Sequence, residues 1–338
     1  MFSKVYEKLK KYLKENYKFI LFEIFLILIL VMPLPYYINT TGGMIDVSKY
    51  IEVEGAKKSK GSFNLAYVTS YRATIPTYLL SYILPGWDIE NVGDYTYNES
   101  ESASDVSNRG QLSLTSANNA AVEVAYTKAG RTIEITNSYF NVFYIMEEAE
   151  TSLQVGDILL EYDGHELTDT EEYIEYISSK KEGEKITLKV LRDDKEVNAY
   201  AKVKMIDGEK LVGISIYKTF DYKTDPEISI HFTSSEEGPS GGLMTALAIY
   251  DQLIDEDLTH GLTIVGTGTI DSEGNVGEID GVPYKLKGAV KQKADIFFAP
   301  SGSNYEEAKA LQEKNNYDIK IVEVKTFDDA VCYLEELD

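Results

Sequence analysis

The feature that most constrains the fold is a strand, a glycine-rich turn and a helix in direct succession between residues 227 and 254. Glu227-Ile228-Ser229-Ile230-His231-Phe232 reads as a strand, and Leu243, Leu247, Tyr250 and Ile254 recur at the spacing of one helical face. Between them lies Glu236-Glu237-Gly238-Pro239-Ser240-Gly241-Gly242. Ser240 therefore sits where unpaired backbone N–H groups and the positive end of a helix dipole converge, a place where a nucleophile and an oxyanion site can coexist. The plain alternative is a helix cap, because Ser and Pro are ordinary residues at helix starts.

Downstream, the pattern continues as strand 262–270, a short strand 276–279, a helix through Lys285, strand 294–299, helix 304–314, strand 319–324 and helix 327–337. This alternation predicts a layered α/β (α+β) domain. Within it stand Gly-Pro-Ser-Gly-Gly at 238–242, Thr267-Gly268-Thr269-Ile270, Val276-Gly277-Glu278-Ile279-Asp280-Gly281-Val282-Pro283-Tyr284-Lys285, and Phe297-Phe298-Ala299-Pro300. These four blocks, in this order, resemble the proteolytic domain of Lon-type serine proteases. The resemblance implies Ser240 as nucleophile, Lys285 as general base, Thr267 as the residue orienting the lysine, and backbone N–H groups from Gly238 to Gly241 as the oxyanion site. It departs at Gly241, where many members have alanine, and at Asp280, where many have glycine.

The chemistry of such a pair sets its own requirement. A free lysine is protonated at neutral pH, and to accept the serine proton its pKa must fall by roughly 3 units, about 4 kcal/mol. Burial supplies that and nearby carboxylates oppose it. Lys285 is thus expected in a dry pocket against Val282, Leu286 and the Ser240 helix, with Glu236 and Glu237 turned away. Lys287, the nearest rival, reads as a solvated helix lysine.

Upstream, residues 131–205 change to strand-rich character. Thr132–Thr136 and Asn141–Met146 read as two strands, followed by Val155-Gly156-Asp157-Ile158-Leu159 and Asp163-Gly164, a helix over 169–179 and a strand over 185–192. The region resembles a PDZ domain, which implies peptide binding by strand addition. The groove is expected between Tyr139–Ile145 and the helix, with Tyr139, Val142 and Phe143 as lining residues. No Gly-Φ-Gly-Φ carboxylate loop precedes that strand. Residues 44–130 read as a mixed α/β region, with a strand over 62–70, an amphipathic run near Pro76, a polar loop over 91–109 and a helix over 111–128.

The N-terminus is basic in an otherwise acidic protein of net charge −23. Lys4, Lys8, Lys10, Lys11, Lys14 and Lys18 precede an apolar run over 19–38, broken by Glu23, Pro33 and Pro35. This predicts a cytoplasmic basic segment (1–18), a transmembrane helix (19–38) contacting membrane lipid, and an extracellular remainder. A cleaved signal peptide fits less well, for no Ala-x-Ala pattern follows the run. The acidic balance argues against nucleic acid as partner. The single cysteine, Cys332, excludes an intrachain disulfide and is expected to pack inside the last helix. His165, His231 and His260 are too dispersed for a metal site, and Asp271–Asn275 reads as a hairpin turn rather than a calcium loop. No phosphate-loop motif is present, and neither cofactor nor metal is expected.

Anchor, PDZ-like module and a domain over 210–338 together resemble the membrane-anchored PDZ and Lon domain proteases of Gram-positive bacteria. That resemblance implies ATP-independent endoproteolysis of extracellular peptides, secreted signal peptides or unfolded segments, and a possible homo-oligomer. Two other classes stay open: a non-catalytic PDZ scaffold, and a small-metabolite kinase of related fold that uses the Gly/Ser turn to cradle phosphate.

Overall fold

The computed structural model describes residues 2–98, 100–232 and 238–337. In chain order the elements are α1 (Phe2–Val31), β1 (Pro33–Asp46), β2 (Ile51–Val53), β3 (Ser62–Thr74), α2 (Ile75–Ser81), β4 (Trp87–Asn91), α3 (Ala103–Lys128) and β5 (Thr132–Ile145). Then follow β6 (Ile158–Tyr162), β7 (His165–Glu166), α4 (Thr170–Ser179), β8 (Lys185–Arg192), β9 (Lys195–Lys202), β10 (Lys204–Ile206), β11 (Glu209–Leu211) and β12 (Ile214–Asp225). The last third holds β13 (Ile228–Ile230), α5 (Gly242–Leu253), β14 (Thr263–Gly266), β15 (Thr269–Ile270), β16 (Val276–Gly277), α6 (Val282–Lys291), β17 (Ile296–Pro300), α7 (Ser303–Asn315), β18 (Lys320–Val324) and α8 (Phe327–Glu335). Two compact units result, Met1–Thr41 with Val68–Tyr95, and Gly42–Tyr67 with Thr96–Asp338.

In the first unit α1 lies against α2, and β1 pairs antiparallel with β4 in the register Tyr36↔Asn91 to Thr40↔Trp87. The segment expected to span a membrane, 19–38, is not one helix. Pro33 and Pro35 cannot continue the α-helical ladder, so α1 stops at Val31 and the chain becomes strand. The apolar part of α1, 19–31, is about 20 Å long at 1.5 Å per residue, against a hydrocarbon core of about 30 Å. Among the described residues no helix is long and apolar enough to cross a membrane.

In the second unit β18, β17, β14 and the start of β3 form parallel neighbours, Ser62–Leu65 of β3 lying beside Thr263–Gly266. Strand β2 pairs with β13, Ile51 opposite Ile230. One core joins Val47, Ile51, Phe63, Val122 and Tyr126 to Leu243, Met244, Leu247, Phe298 and Phe327. The mixed region of residues 44–130 is therefore no separate domain. Its β2, the start of β3 and α3 complete the α/β layer whose other half begins at residue 228. Helix α3 also starts at Ala103, well inside the stretch expected as loop. Ser102 and Asp105 form a capping box, the Ser102 hydroxyl accepting from the Asp105 N–H at 3.2 Å and the Asp105 carboxylate accepting from the Ser102 N–H at 2.9 Å. That local bond set overrides the serine-rich composition.

The PDZ-type sheet runs β12-β5-β6-β8-β9 around a second core of Val142, Leu159, Tyr173, Ile177, Ile186, Leu188 and Val190. Strand β5 is continuous from Thr132 to Ile145 rather than two strands, because β12 pairs along its whole length, from Ile214↔Ile145 to Asp225↔Thr132. The domain boundary expected between residues 205 and 210 thus falls short of the sheet's own edge strand. The module is an insertion between α3 and β13. A bidentate ion pair at its root joins Arg109 Nε and Nη2 to Glu101 at 2.8 and 3.0 Å; the guanidinium is stacked on Tyr97 at 3.8 Å and the Glu101 side chain is 3% exposed. Cys332, expected inside α8, is exposed, since the buried face of that helix is carried by Phe327, Ala330, Val331 and Leu334.

Candidate functional site

Ser240 lies two residues before α5, half-buried, at the turn opened by Gly238 in the left-handed region (φ 85°). The apolar face of α5 fixes the helix, with Leu243, Met244 and Leu247 fully enclosed. The turn is then knitted to the end of β14. The strand expected over 262–270 breaks at Thr267-Gly268, where Gly268 takes a φ of 146° and the backbone leaves the sheet toward the turn. There the Ser240 carbonyl accepts from the Gly268 N–H at 2.8 Å and from the Thr267 hydroxyl at 3.1 Å, while Leu243 N–H donates to the Gly268 carbonyl at 3.2 Å.

Lys285 reaches the same point from α6. Gly281 (φ 79°) turns the chain into that helix, and Val282 and Leu286 are fully buried on either side of the lysine. The Lys285 amine donates to Thr267 Oγ1 at 3.0 Å. Thr267 is itself completely buried, so a single hydroxyl links the ammonium nitrogen to the Ser240 backbone. With Lys285 only 4% exposed, burial pushes its pKa down to about 8, opposed by the negative charge of Asp280. Residues 236 and 237, expected to point away from this amine, lie outside the described residues. Lys287 is half-buried.

Of the backbone N–H groups from Gly238 to Gly241 that the resemblance implies as an oxyanion site, one is already engaged. The Gly238 N–H is committed to the Gly110 carbonyl at 3.0 Å, and that of Gly242 to the Pro239 carbonyl at 3.1 Å. Among the described residues no backbone carbonyl takes the N–H of Ser240 or of Gly241. Both lie at the N-terminus of α5, where a helix leaves its first N–H groups without intrahelical partners. Space matters here as well: a Cβ on Gly241 would meet Leu65 Cδ2 at 3.3 Å, whereas one on Gly242 would meet Ile270 Cγ2 at 2.9 Å and its backbone nitrogen at 3.1 Å.

The histidines are apart from this site. His231 is exposed, with its N–H on the Tyr50 carbonyl, and His260 faces the Leu334 carbonyl. Asp271 folds its own turn by accepting from the N–H groups of Glu273 and Asn275 at 3.0 and 2.8 Å. Among the described residues no cluster of His, Cys, Asp and Glu could hold a metal ion.

The peptide groove requires correction. A groove lined by Tyr139, Val142 and Phe143, between their strand and α4, needs a strand edge open to peptide, whereas β5 is an interior strand, with β12 on one side and β6 on the other. Val142 and Phe143 are buried, and the Tyr139 hydroxyl donates to Asp221 at 2.5 Å. The edge belongs to β12, which has no further strand partner among the described residues. Its outward backbone is identified at Phe220, whose N–H and carbonyl both bond the Asn119 side chain of α3 at 3.0 Å. The two-residue period gives Ile216 and Lys218 the same outward sense. Ile214 and Ile216 pack on the core that includes Tyr173 and Ile177 of α4, and the strand is preceded by Val212-Gly213-Ile214, with Gly213 at φ 73°. The Φ-Gly-Φ turn sought before Tyr139 therefore lies after the last PDZ strand expected from sequence. Its signal, a glycine followed by alternating Ile214, Ile216 and Lys218, stands outside the 131–205 window.

Comparison with protein families matches residues 144–203 to the PDZ domain, and the chain carries such a domain. No curated protein matches it. Among solved structures, it is similar to the PDZ domain of an SdrC-like protein from Listeria monocytogenes, at 28% identity over 25% of this chain and 92% of that one, with a TM-score of 0.23. The corresponding PDZ domain from Listeria innocua is 30% identical over 23% and 93%, with a TM-score of 0.22. A protein from Geobacillus thermodenitrificans is 20% identical over 22% and 92%, with a TM-score of 0.21.

Proposed function

We propose that the chain is an ATP-independent serine endopeptidase of Lon-like type, with Ser240 as nucleophile and Lys285 as general base, fed by its PDZ domain. The observation that carries this reading is the buried Lys285 amine on Thr267, whose hydroxyl in turn holds the Ser240 carbonyl. A lysine with its pKa near 8 is neutral often enough at physiological pH to take a proton from serine. Ser240 Oγ attacks a peptide carbonyl and its proton passes to Lys285 Nζ. The N–H groups of Ser240 and Gly241 hold the oxyanion, and Lys285 returns the proton to the leaving amine. Extended peptide adds along the part of the β12 edge that precedes the α3 contact at Phe220, through the outward backbone of Ile216 and Lys218. The basic-then-apolar α1 seats in a membrane with its lysines at the cytoplasmic headgroups, holding the protease outside.

The test is cleavage of an unfolded-peptide pool, without ATP, by wild type, Ser240→Ala and Lys285→Ala. Loss of cleavage in both variants, with folding retained, supports the pair; cleavage that survives either substitution refutes it. The second reading, a peptide-binding scaffold, is favoured by the PDZ domain itself. It requires that wild type bind peptide yet cleave none, and that both variants bind it equally.

A further inference from the structure

The first unit carries a second apolar surface besides α1. Leu79, Leu80, Tyr82, Ile83 and Leu84, on α2 and the turn after it, are all exposed, Ile83 to 76%. Residues 73–87 contain no charged side chain, in a protein in which 26% of residues are charged. The flanking cation is drawn back to the border of this stretch: Arg72 donates to the Leu34 carbonyl at 2.8 Å and lies over the Tyr37 ring. A row of tyrosines follows the same border. Tyr36 meets Tyr78 at 5.1 Å, Tyr78 meets Tyr82 at 5.6 Å, and the hydroxyls of the last two are 3.1 Å apart.

We infer that α2 and its following turn, residues 75–87, form a second lipid-contacting element that enters the outer leaflet beside the end of α1. This deepens the membrane reading of α1 given above and rests on it. Three observations choose lipid as the occupant. Ten apolar side chains of α1 between Phe19 and Val31 are exposed, among them Leu21, Phe22, Phe25 and Leu28, and only Ile20 and Ile29 are half-buried, so the unit already presents a broad apolar surface suited to hydrocarbon. The apolar run of α1 is shorter than a bilayer core, and a shortfall of this kind is met by local thinning and by neighbouring apolar elements. Finally, tyrosine rings with hydroxyls at one edge and leucine and isoleucine beyond them reproduce the side-chain order of a membrane interface.

The single tryptophan makes the test direct. In the full-length protein, Trp87→Phe removes the native fluorophore, and Ile83→Trp or Phe25→Trp then reports one position at a time. Each is reconstituted into phosphatidylcholine vesicles with and without phosphatidylglycerol, including lipids brominated along the acyl chain. The expected result is a blue shift and bromine quenching at both positions, deeper for Phe25→Trp than for Ile83→Trp. A water-like, acrylamide-accessible spectrum at position 83 beside an inserted position 25 overturns the inference and leaves the anchor standing. Water-like spectra at both positions overturn the anchor and the inference together. A shift at position 83 that depends on protein concentration and not on lipid overturns it in favour of a second copy of the chain.

Discussion

Replacing Lys285 by methionine separates the cost of the proposed general base from its use. Burial moves the lysine pKa from 10.5 to about 8, which corresponds to about 3 kcal/mol of native-state destabilisation wherever the amine is charged in the unfolded chain. The folded pKa is the lower one, so between pH 8 and 10.5 the unfolded state holds a proton that the native state lacks, and stability rises with pH across that window. Below pH 8 the deficit is complete. Methionine has similar length and no charge, but it loses the hydrogen bond to Thr267, worth about 1 kcal/mol. Lys285→Met is therefore expected to be more stable than wild type by ~2 kcal/mol at pH 7 and less stable by about 1 kcal/mol above pH 10.5. Urea unfolding of both proteins at pH 7, 9 and 10.5, followed by circular dichroism, measures the crossover. The same variant should have no peptidase activity, whereas wild-type activity should fall about tenfold per pH unit below pH 8. A stability difference that does not change with pH would refute the burial argument.

Three further outcomes follow from the geometry. Asp280→Asn removes the negative charge that holds the Lys285 pKa up, so the acid limb of the pH–rate profile should move to lower pH and activity at pH 7 should increase. Gly242→Ala should destabilise the fold by about 1–3 kcal/mol, because the new methyl meets the Ile270 backbone, whereas Gly241→Ala meets only the end of Leu65 and should fold normally; thermal melts of the two distinguish these cases. Lys218→Pro should abolish peptide binding by the PDZ domain while leaving the β12–β5 pairing intact, since proline is tolerated on an edge whose N–H faces outward. Isothermal titration with a peptide cleaved by the wild type reads this directly, and undiminished binding would move the groove elsewhere.

Which parts of this architecture could be read in advance depended on whether the signal was local. The strand–turn–helix at Ser240, the lysine helix and the strands at residues 296–300 and 320–324 are each coded by a short periodic run with its own turn residues, and they stand close to where the sequence puts them. The link through Thr267 is legible only by resemblance, since nothing between residues 263 and 270 announces that the strand stops at Gly268. The PDZ groove was misplaced because pairing is not local. β5 looks like an edge strand until β12, some seventy residues later, covers it. Likewise, within residues 44–130 a strand over 62–70 and a helix over 111–128 are legible but the layer they belong to is not, because β2 and the start of β3 have partners beyond residue 227.

The insertion of the PDZ sheet has a consequence for the order of synthesis. Thr132 and Asp225, the first and last residues of the paired strands β5 and β12, lie side by side, so the module closes on itself as soon as residue 225 has left the ribosome. The α/β layer cannot do the same. Ile51 waits for Ile230, Ser62–Leu65 wait for Thr263–Gly266, and Val122 and Tyr126 wait for α5. During translation the chain therefore carries a finished domain flanked by an unfinished one, and the link from Lys285 through Thr267 to Ser240 cannot form until residue 285 has emerged. The buried Lys285–Thr267 contact, and the tie from Thr267 to the Ser240 carbonyl, are therefore among the last features of the chain to form.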